Sequence, residues 1–118
     1  MRLIIYAGRS FSCDFTVVSD DGVTAEVLDP SDTATFSAQT SGTNPVSIIK
    51  DEPMTLIDAD NGLFELTLTA EQTALFSQYV GFQEDCFQPI CNNMGFIDFT
   101  LVSGNRQATV SIAVKEIV

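Results

Sequence analysis

Residues Asn61–Phe76, with the sequence NGLFELTLTAEQTALF, combine a turn, a strand and a helix start in one segment. The Asn61-Gly62 pair predicts a tight turn, because asparagine and glycine most readily adopt positive φ. Apolar and polar residues alternate from Phe64 to Leu68, which predicts a strand with one apolar face. Thr69 and Gln72 have the spacing of a capping box and start a predicted helix of about two turns. A strand that runs directly into a short capped helix is a corner that carries the chain from one sheet to another.

Short stretches of alternating apolar and polar residues, separated by turn residues, fill most of the remaining sequence. The predicted strands are Leu3–Ala7, Phe11–Val18, Thr33–Gln39, Val46–Lys50, Met54–Ile57, Phe96–Val102 and Ala108–Val118, with a weaker one at Val23–Leu28. Asp51-Glu52-Pro53 is a predicted break between two of them. About seven or eight short strands at spacings of about 8 to 12 residues are typical of a β-sandwich or barrel.

The composition predicts one domain over residues 1–118 and excludes several classes of partner. There are 16 acidic and 5 basic side chains, for a formal net charge of −11. Nucleic acids and anionic membrane surfaces attract Lys and Arg, so neither is an expected partner. A basic partner surface is compatible with this charge, although solubility alone also accounts for it. No apolar run approaches the roughly 20 residues of a membrane span.

The cysteines and the N-terminus both favour folding in a cytoplasm. Met1–Ala7 is too short an apolar segment for a signal peptide. The three cysteines, an odd number, fit a reducing compartment. Cys13 lies on the apolar face of its predicted strand and is expected in the core. For Cys86 and Cys91, two packed thiols are the favoured reading, with a disulfide or a zinc site as alternatives.

Enzymatic and metal-binding motifs are weak in this sequence. It contains 0 histidines, which removes the usual general base and the commonest metal ligand. The carboxylates are spread over turns and polar strand faces, so we expect no enzyme activity and no cofactor. Asp58–Gly62 resembles the opening of a calcium loop. Its glycine comes one position early and Thr69 occupies the place of the bidentate glutamate, so an acidic β-turn without metal is expected.

A set of turn glycines, strand residues and corner residues resembles a known pattern. It comprises Gly8, Phe11, Asp21-Gly22, Ala34, Phe36, Gly62-x-Phe64-x-Leu66-x-Leu68-Thr69-x-x-Gln72-Thr73, Gly95-Phe96-Ile97-Asp98-Phe99, Gly104 and Val110-x-Ile112-x-Val114. This pattern resembles immunoglobulin-like domains of tailed-bacteriophage virion proteins, which include baseplate, head-fibre and capsid decoration components. The resemblance implies an all-β immunoglobulin-like β-sandwich of about seven to eight short strands, with one short helix at a sheet corner.

One segment departs from the family pattern: an inserted loop at about residues 79–94 separates the corner from the next strand, where family members have only a few residues. Apolar residues on a loop often mark contacts with another chain. The predicted partner contacts are Tyr79, Phe82, Phe87 and Ile90. The alternative is that this loop folds back over an open end of the sandwich and completes its core.

The resemblance implies a non-enzymatic structural protein of a tailed-phage virion, assembled in the host cytoplasm. A capsid decoration (cement) protein on the outer shell, bound to the major capsid protein, is the leading expectation, and a homo-oligomer is compatible with it. A baseplate or tail adaptor is the alternative within the class. A carbohydrate-binding module is the alternative from another class, and with 0 tryptophans it would depend on Tyr6 and Tyr79.

Overall fold

The computed structural model describes residues 2–19, 21–40, 45–76 and 93–115. Its strands are β1 (Arg2–Tyr6), β2 (Phe11–Thr16), β3 (Thr33–Thr40), β4 (Ser47–Pro53), β5 (Thr55–Asp58), β6 (Leu63–Leu68), β7 (Asn93–Thr100) and β8 (Arg106–Lys115). A 3-10 helix, Ala59–Asn61, joins β5 to β6, and the helix α1 (Ala70–Ala74) follows β6.

The strands form two sheets, one of five strands in the order β1-β8-β7-β3-β4 and one of three in the order β2-β6-β5. β1 is parallel to β8, whereas the other paired strands are antiparallel. The order β8-β7-β3-β4 matches strands G, F, C and C′ of an immunoglobulin domain, and β2-β6-β5 matches strands B, E and D. The predicted fold is therefore confirmed: the chain is an all-β immunoglobulin-like sandwich with one short helix.

The core lies between the two sheets and is built from the inward face of each strand. β6 follows the predicted alternation, since Phe64, Leu66 and Leu68 are all fully buried. Phe64 also meets Phe99 of the facing sheet in a tilted aromatic pair with ring centroids 5.7 Å apart. Such pairs stabilise a core beyond the area they bury.

The register of the strands defines the two ends of the sandwich. β2 begins opposite the end of β6, since Phe11 pairs with Leu68. This corner end therefore carries α1 and the turn between β1 and β2, residues 7–10. The opposite end, here called the loop end, carries the 3-10 helix and the β2–β3 and β7–β8 connections, residues 17–32 and 101–105.

Two predicted boundaries are wrong on the edge strand β4 and at the start of β7. β4 continues through Asp51-Glu52-Pro53. Asp51 adopts φ 52° and its amide donates to Ser37 Oγ at 3.0 Å, which absorbs the irregularity as a bulge. Pro53 is tolerated because β4 is the edge strand of the sheet among the strands that the structure describes. β7 begins at Asn93, which pairs with both Thr40 and Ile112, so the predicted loop at about 79–94 ends earlier.

Only half of the predicted Asn61-Gly62 turn is present. Asn61 belongs to the 3-10 helix and is not among the described residues with positive φ, whereas Gly62 has φ 63°. A Cβ on Gly62 would also lie 2.7 Å from the carbonyl oxygens of Val17 and Glu26. Glycine is required here for two reasons, its backbone conformation and the close approach of the β2–β3 connection.

Two further expectations were only partly correct. Val23–Leu28 is not a strand, and its ladder contact is the single bridge between Val18 and Ala25. Cys13 packs against the core but is only partly buried, because β2 is an edge strand. Burial and the neighbouring Asp14 carboxylate raise the pKa of its thiol, so Cys13 is a neutral thiol at pH 7.

Candidate functional site

The predicted partner contacts Tyr79, Phe82, Phe87 and Ile90 lie outside the described residues, as do Cys86 and Cys91. The structure does place the residues on either side of that segment. Phe76 and Asn93 are both buried, and both lie at the corner end. The described chain therefore stops and resumes at the same end of the sandwich.

The corner between β6 and α1 contains both hydrogen bonds of a capping box. The Gln72 amide donates to Thr69 Oγ1 at 3.2 Å, and the Thr69 amide donates to Gln72 Oε1 at 2.8 Å. Each side chain therefore satisfies a backbone amide that the first turn of a helix leaves without a partner. After α1 the chain passes from the three-stranded sheet to the five-stranded one, as expected for a corner.

Thr73 attaches this corner to the β1–β2 turn, a role that the sequence did not predict. Its hydroxyl is fully buried, donates to the Arg9 carbonyl at 2.7 Å and accepts from the Gly8 amide at 3.1 Å. The side chain therefore joins α1 to the β1–β2 turn. The only signal for it in the sequence was its place as the last residue of the Leu-Thr-x-x-Gln-Thr pattern.

The acidic segment Asp58–Gly62 forms a turn in which the Asp58 carboxylate accepts hydrogen bonds from residues of the same turn. Asp58 Oδ1 accepts from the Asp60 amide at 3.1 Å, and Asp58 Oδ2 accepts from Asn61 Nδ2 at 2.7 Å. Asp58 is thus the N-cap of the 3-10 helix. Within the four described ranges, no group of three His, Cys, Asp or Glu side chains could hold a metal ion.

The loop end is cross-linked by the side chains of Glu26, Ser103 and Arg106. Glu26 forms an ion pair with Arg106 at 2.7 Å and accepts a hydrogen bond from Ser103 Oγ at 3.0 Å. The Arg106 guanidinium also donates to the Val18 carbonyl at 2.8 Å. These contacts join the β2–β3 connection to the β7–β8 connection, which are about 80 residues apart in sequence.

Asp32 forms a second link between the same two connections. Its carboxylate is buried, and one oxygen accepts from the Val102 amide at 2.8 Å while the other accepts from the Asp29 amide at 2.9 Å. A buried carboxylate is stable only when such donors satisfy it. The links from Asp32 to Val102 and from Glu26 to Arg106 were not predictable, because these partners are remote in sequence.

A tight turn projects from the loop end around Asp21. Its carboxylate accepts from the amides of Val23 and Thr24 and from the Thr24 hydroxyl. These hydrogen bonds, the Thr24 hydroxyl foremost, lower the pKa of Asp21 to about 2. The turn that the Val18–Ala25 bridge closes is therefore held by a carboxylate that stays ionised.

Large apolar side chains are exposed at several places in the described residues, among them Val46, Ile57 and Leu75. Val23, Val27 and Val102 are exposed at the loop end, and Ile4 and Tyr6 are nearly half exposed on β1. The second aromatic of the carbohydrate-binding alternative, Tyr79, is outside the described residues. No helix in the described ranges is long and apolar enough to cross a membrane.

Comparison with known proteins identifies no family. No protein-family model matches the sequence, and no curated protein sequence matches it. Solved structures with a similar shape include the complex of titin M10 with the obscurin-like 1 Ig domain (13% identity, TM-score 0.42, 99% of this chain and 88% of that one). Others are Tim-1 (11%, 0.43, 100% and 94%) and the Ig-like domain of human leucine-rich repeat-containing protein 4 (13%, 0.38, 99% and 84%). These structural similarities do not indicate a function.

Proposed function

We propose that this chain is a non-enzymatic structural subunit of a tailed-phage virion, and specifically a capsid decoration protein on the outer shell. Its partner is the major capsid protein. Each copy contributes weak contacts, and the symmetry of the shell repeats them, so that adhesion arises from multivalency and not from one tight site. Assembly of the virion takes place in the host cytoplasm.

The observation that carries this proposal is the corner. The Leu-Thr-x-x-Gln-Thr pattern is the most specific part of the resemblance to virion domains. Each of its polar residues forms hydrogen bonds that stabilise the corner. Thr69 and Gln72 form the capping box, and Thr73 joins the corner to the β1–β2 turn. The pattern therefore acts as one unit, which favours the family resemblance over a chance match of a β-sandwich sequence.

At two glycines of the same pattern, a larger residue would clash with neighbouring atoms. Gly62 approaches two carbonyl oxygens, and a Cβ on Gly95 would lie 2.7 Å from Val110 Cγ2 and 2.9 Å from Phe36 Cε1. Val110 and Phe36 themselves belong to the matched residues. Few residues other than glycine fit at Gly62 and Gly95, so the match at these two positions supports the resemblance.

The proposed contact with the capsid is the segment that contains Tyr79, Phe82, Phe87 and Ile90. The family pattern closes its sandwich with a much shorter connection, so the extra length is available for a partner. Apolar side chains are costly in water unless an interface or a core buries them. Because Phe76 and Asn93 both lie at the corner end, this proposal orients the corner end toward the capsid and the loop end away from it.

Deletion of the gene from the phage that encodes it tests the proposal directly. Purified particles with and without the protein are compared by cryo-electron microscopy. We expect density to disappear at symmetry-related positions on the outside of the head and to return when the purified chain is added. Loss of density at the baseplate or tail would support the adaptor alternative. Particles of identical appearance and composition would refute a virion role.

A variant in which a short Gly-Ser linker replaces Gln83–Asn92 tests the contact. We expect it to stay folded, because a change in loop length alters the closure entropy only slightly, and to fail to bind particles that lack the native subunit. Val23→Ser, at the loop end, is the matched control and should bind normally. If the linker variant unfolds or aggregates, the segment belongs to the core. If it still decorates the particle, the contact lies elsewhere.

A further inference from the structure

A groove at the loop end lies between two valines that project into solvent. Val27 is 71% exposed and Val102 is 76% exposed, so most of the apolar surface of each side chain lies in water. The groove between them has a volume of about 340 Å³, near the lower end of the range of binding pockets. Its lining comprises Val27, Leu28, Asp29, Asp32, Val102 and Ser103.

The walls of the groove are fixed to each other. Asp32 bonds the amides of Val102 on one wall and Asp29 on the other, and the ion pair between Glu26 and Arg106 holds the same two connections together. Valine itself has a restricted χ1 rotation. The groove therefore loses little conformational entropy when a partner binds, which favours binding.

Two carboxylates, Asp29 and Asp32, line the groove, and they differ in their hydrogen bonds. The buried Asp32 uses both oxygens for backbone amides. The exposed Asp29 uses Oδ1 for the amide and hydroxyl of Ser31, at 2.9 and 2.6 Å. These hydrogen bonds lower the pKa of Asp29, so it is ionised at pH 7. Within the described residues, Asp29 Oδ2 accepts no hydrogen bond.

Asp29 forms no ion pair in the part of the chain that the structure describes. Arg106 is paired with Glu26 at 2.7 Å and donates to the Val18 carbonyl. The protein as a whole carries a formal net charge of −11. Both the local and the overall charge therefore attract a cation.

We propose that this groove binds a lysine or arginine side chain of a partner protein. The methylene stem lies between Val27 and Val102, and the cationic end pairs with Asp29 Oδ2. Long basic side chains have this combination of an apolar stem and a charged head. A protein is the partner, because the outer faces of both valines remain in water unless residues beside the basic one cover them. This inference goes beyond the proposed virion role and does not depend on it.

The test is a titration of the ¹⁵N-labelled full chain with a capped Gly-Ala-Lys-Ala-Gly peptide, followed by NMR. We expect saturable shifts of the amides that line the groove. The same peptide with glutamine in place of lysine should bind at least fivefold more weakly. Shift changes spread evenly over the acidic turns at Asp21 and Asp58, or no saturable change at all, would overturn the proposal.

Variants separate the groove from general electrostatic attraction. Asp29→Asn keeps an Oδ1 acceptor for Ser31 and should weaken lysine-peptide binding about two- to fivefold, the range of an exposed ion pair. Glu71→Gln removes the same charge at the corner end and should leave the affinity unchanged. Val102→Ser should also weaken binding, whereas Val46→Ser, at another exposed valine, should not. Equal losses in Asp29→Asn and Glu71→Gln would contradict a specific groove.

Discussion

Thr73→Val is expected to destabilise the protein because it removes the hydroxyl that hydrogen-bonds α1 to the β1–β2 turn. In the native structure this hydroxyl donates to the Arg9 carbonyl at 2.7 Å and accepts from the Gly8 amide at 3.1 Å. Valine retains the branched shape and opens no large cavity. It has about the same helix propensity as threonine, so α1 itself should be little affected.

The expected loss is about 2 kcal/mol. An unsatisfied buried donor or acceptor costs about 1 to 3 kcal/mol. Gly8 and Arg9 are exposed residues, so water can partly replace the lost partner, and each group should cost about 1 kcal/mol, at the low end of that range. For a domain of this size the melting temperature should fall by about 6 to 12 °C.

Urea unfolding followed by far-UV circular dichroism measures this loss, and the method suits a protein with 0 tryptophans. Thr67→Val is the matched control. Thr67 is exposed on β6, and within the described residues its hydroxyl bonds Glu65 alone, at 3.3 Å, so its replacement should change stability by less than about 0.5 kcal/mol. If Thr73→Val is as stable as the wild type, or if Thr67→Val loses as much, the assignment of Thr73 as the link to the β1–β2 turn is incorrect.

Three further predictions concern the corner and the acidic turns. Thr69→Ala should cost about 1 kcal/mol through loss of the helix cap and should not change particle binding beyond that; a selective loss of binding at an unchanged melting temperature would contradict it. A chelator should leave the melting temperature unchanged, since Asp58 bonds its own turn; a drop of several degrees that calcium restores would indicate a metal site. The pKa of Asp21 is lowered from 3.8 to about 2, so the ionised carboxylate stabilises the fold above about pH 4, and this stabilisation is lost as the pH falls toward 2. Asp21→Asn should therefore weaken the dependence of the melting temperature on pH in that window, and an unchanged dependence would contradict the assignment.

The strands were predictable from the sequence wherever one face is buried and the other is wet. β6 and β3 follow this alternation closely, with Phe64 and Phe36 fully buried. The rule fails where the backbone is irregular. Asp51 to Pro53 looked like a break because charged residues and proline are rare in strands, yet an edge strand accommodates both through a bulge.

The long-range links could not be predicted in the same way. The capping box at Thr69 is a local pattern of four residues, so its spacing was sufficient to find it. Glu26 and Arg106, in contrast, meet only because the topology brings two connections to one end of the sandwich. No feature near either residue in the sequence identifies the other. The groove beside Val27 and Val102 was missed for the same reason.

The parallel pairing of β1 with β8 has a consequence for the way the chain folds during synthesis. Among the described strands, β8 is the neighbour of β1 in the sheet, and Arg2 pairs with Ser111, more than a hundred residues later. Leu3 and Ile5, buried in the folded protein, therefore have no strand to join until the ribosome has released that late segment. Contacts so remote in sequence slow folding, and the apolar first strand is the part of the nascent chain that waits longest for its partner.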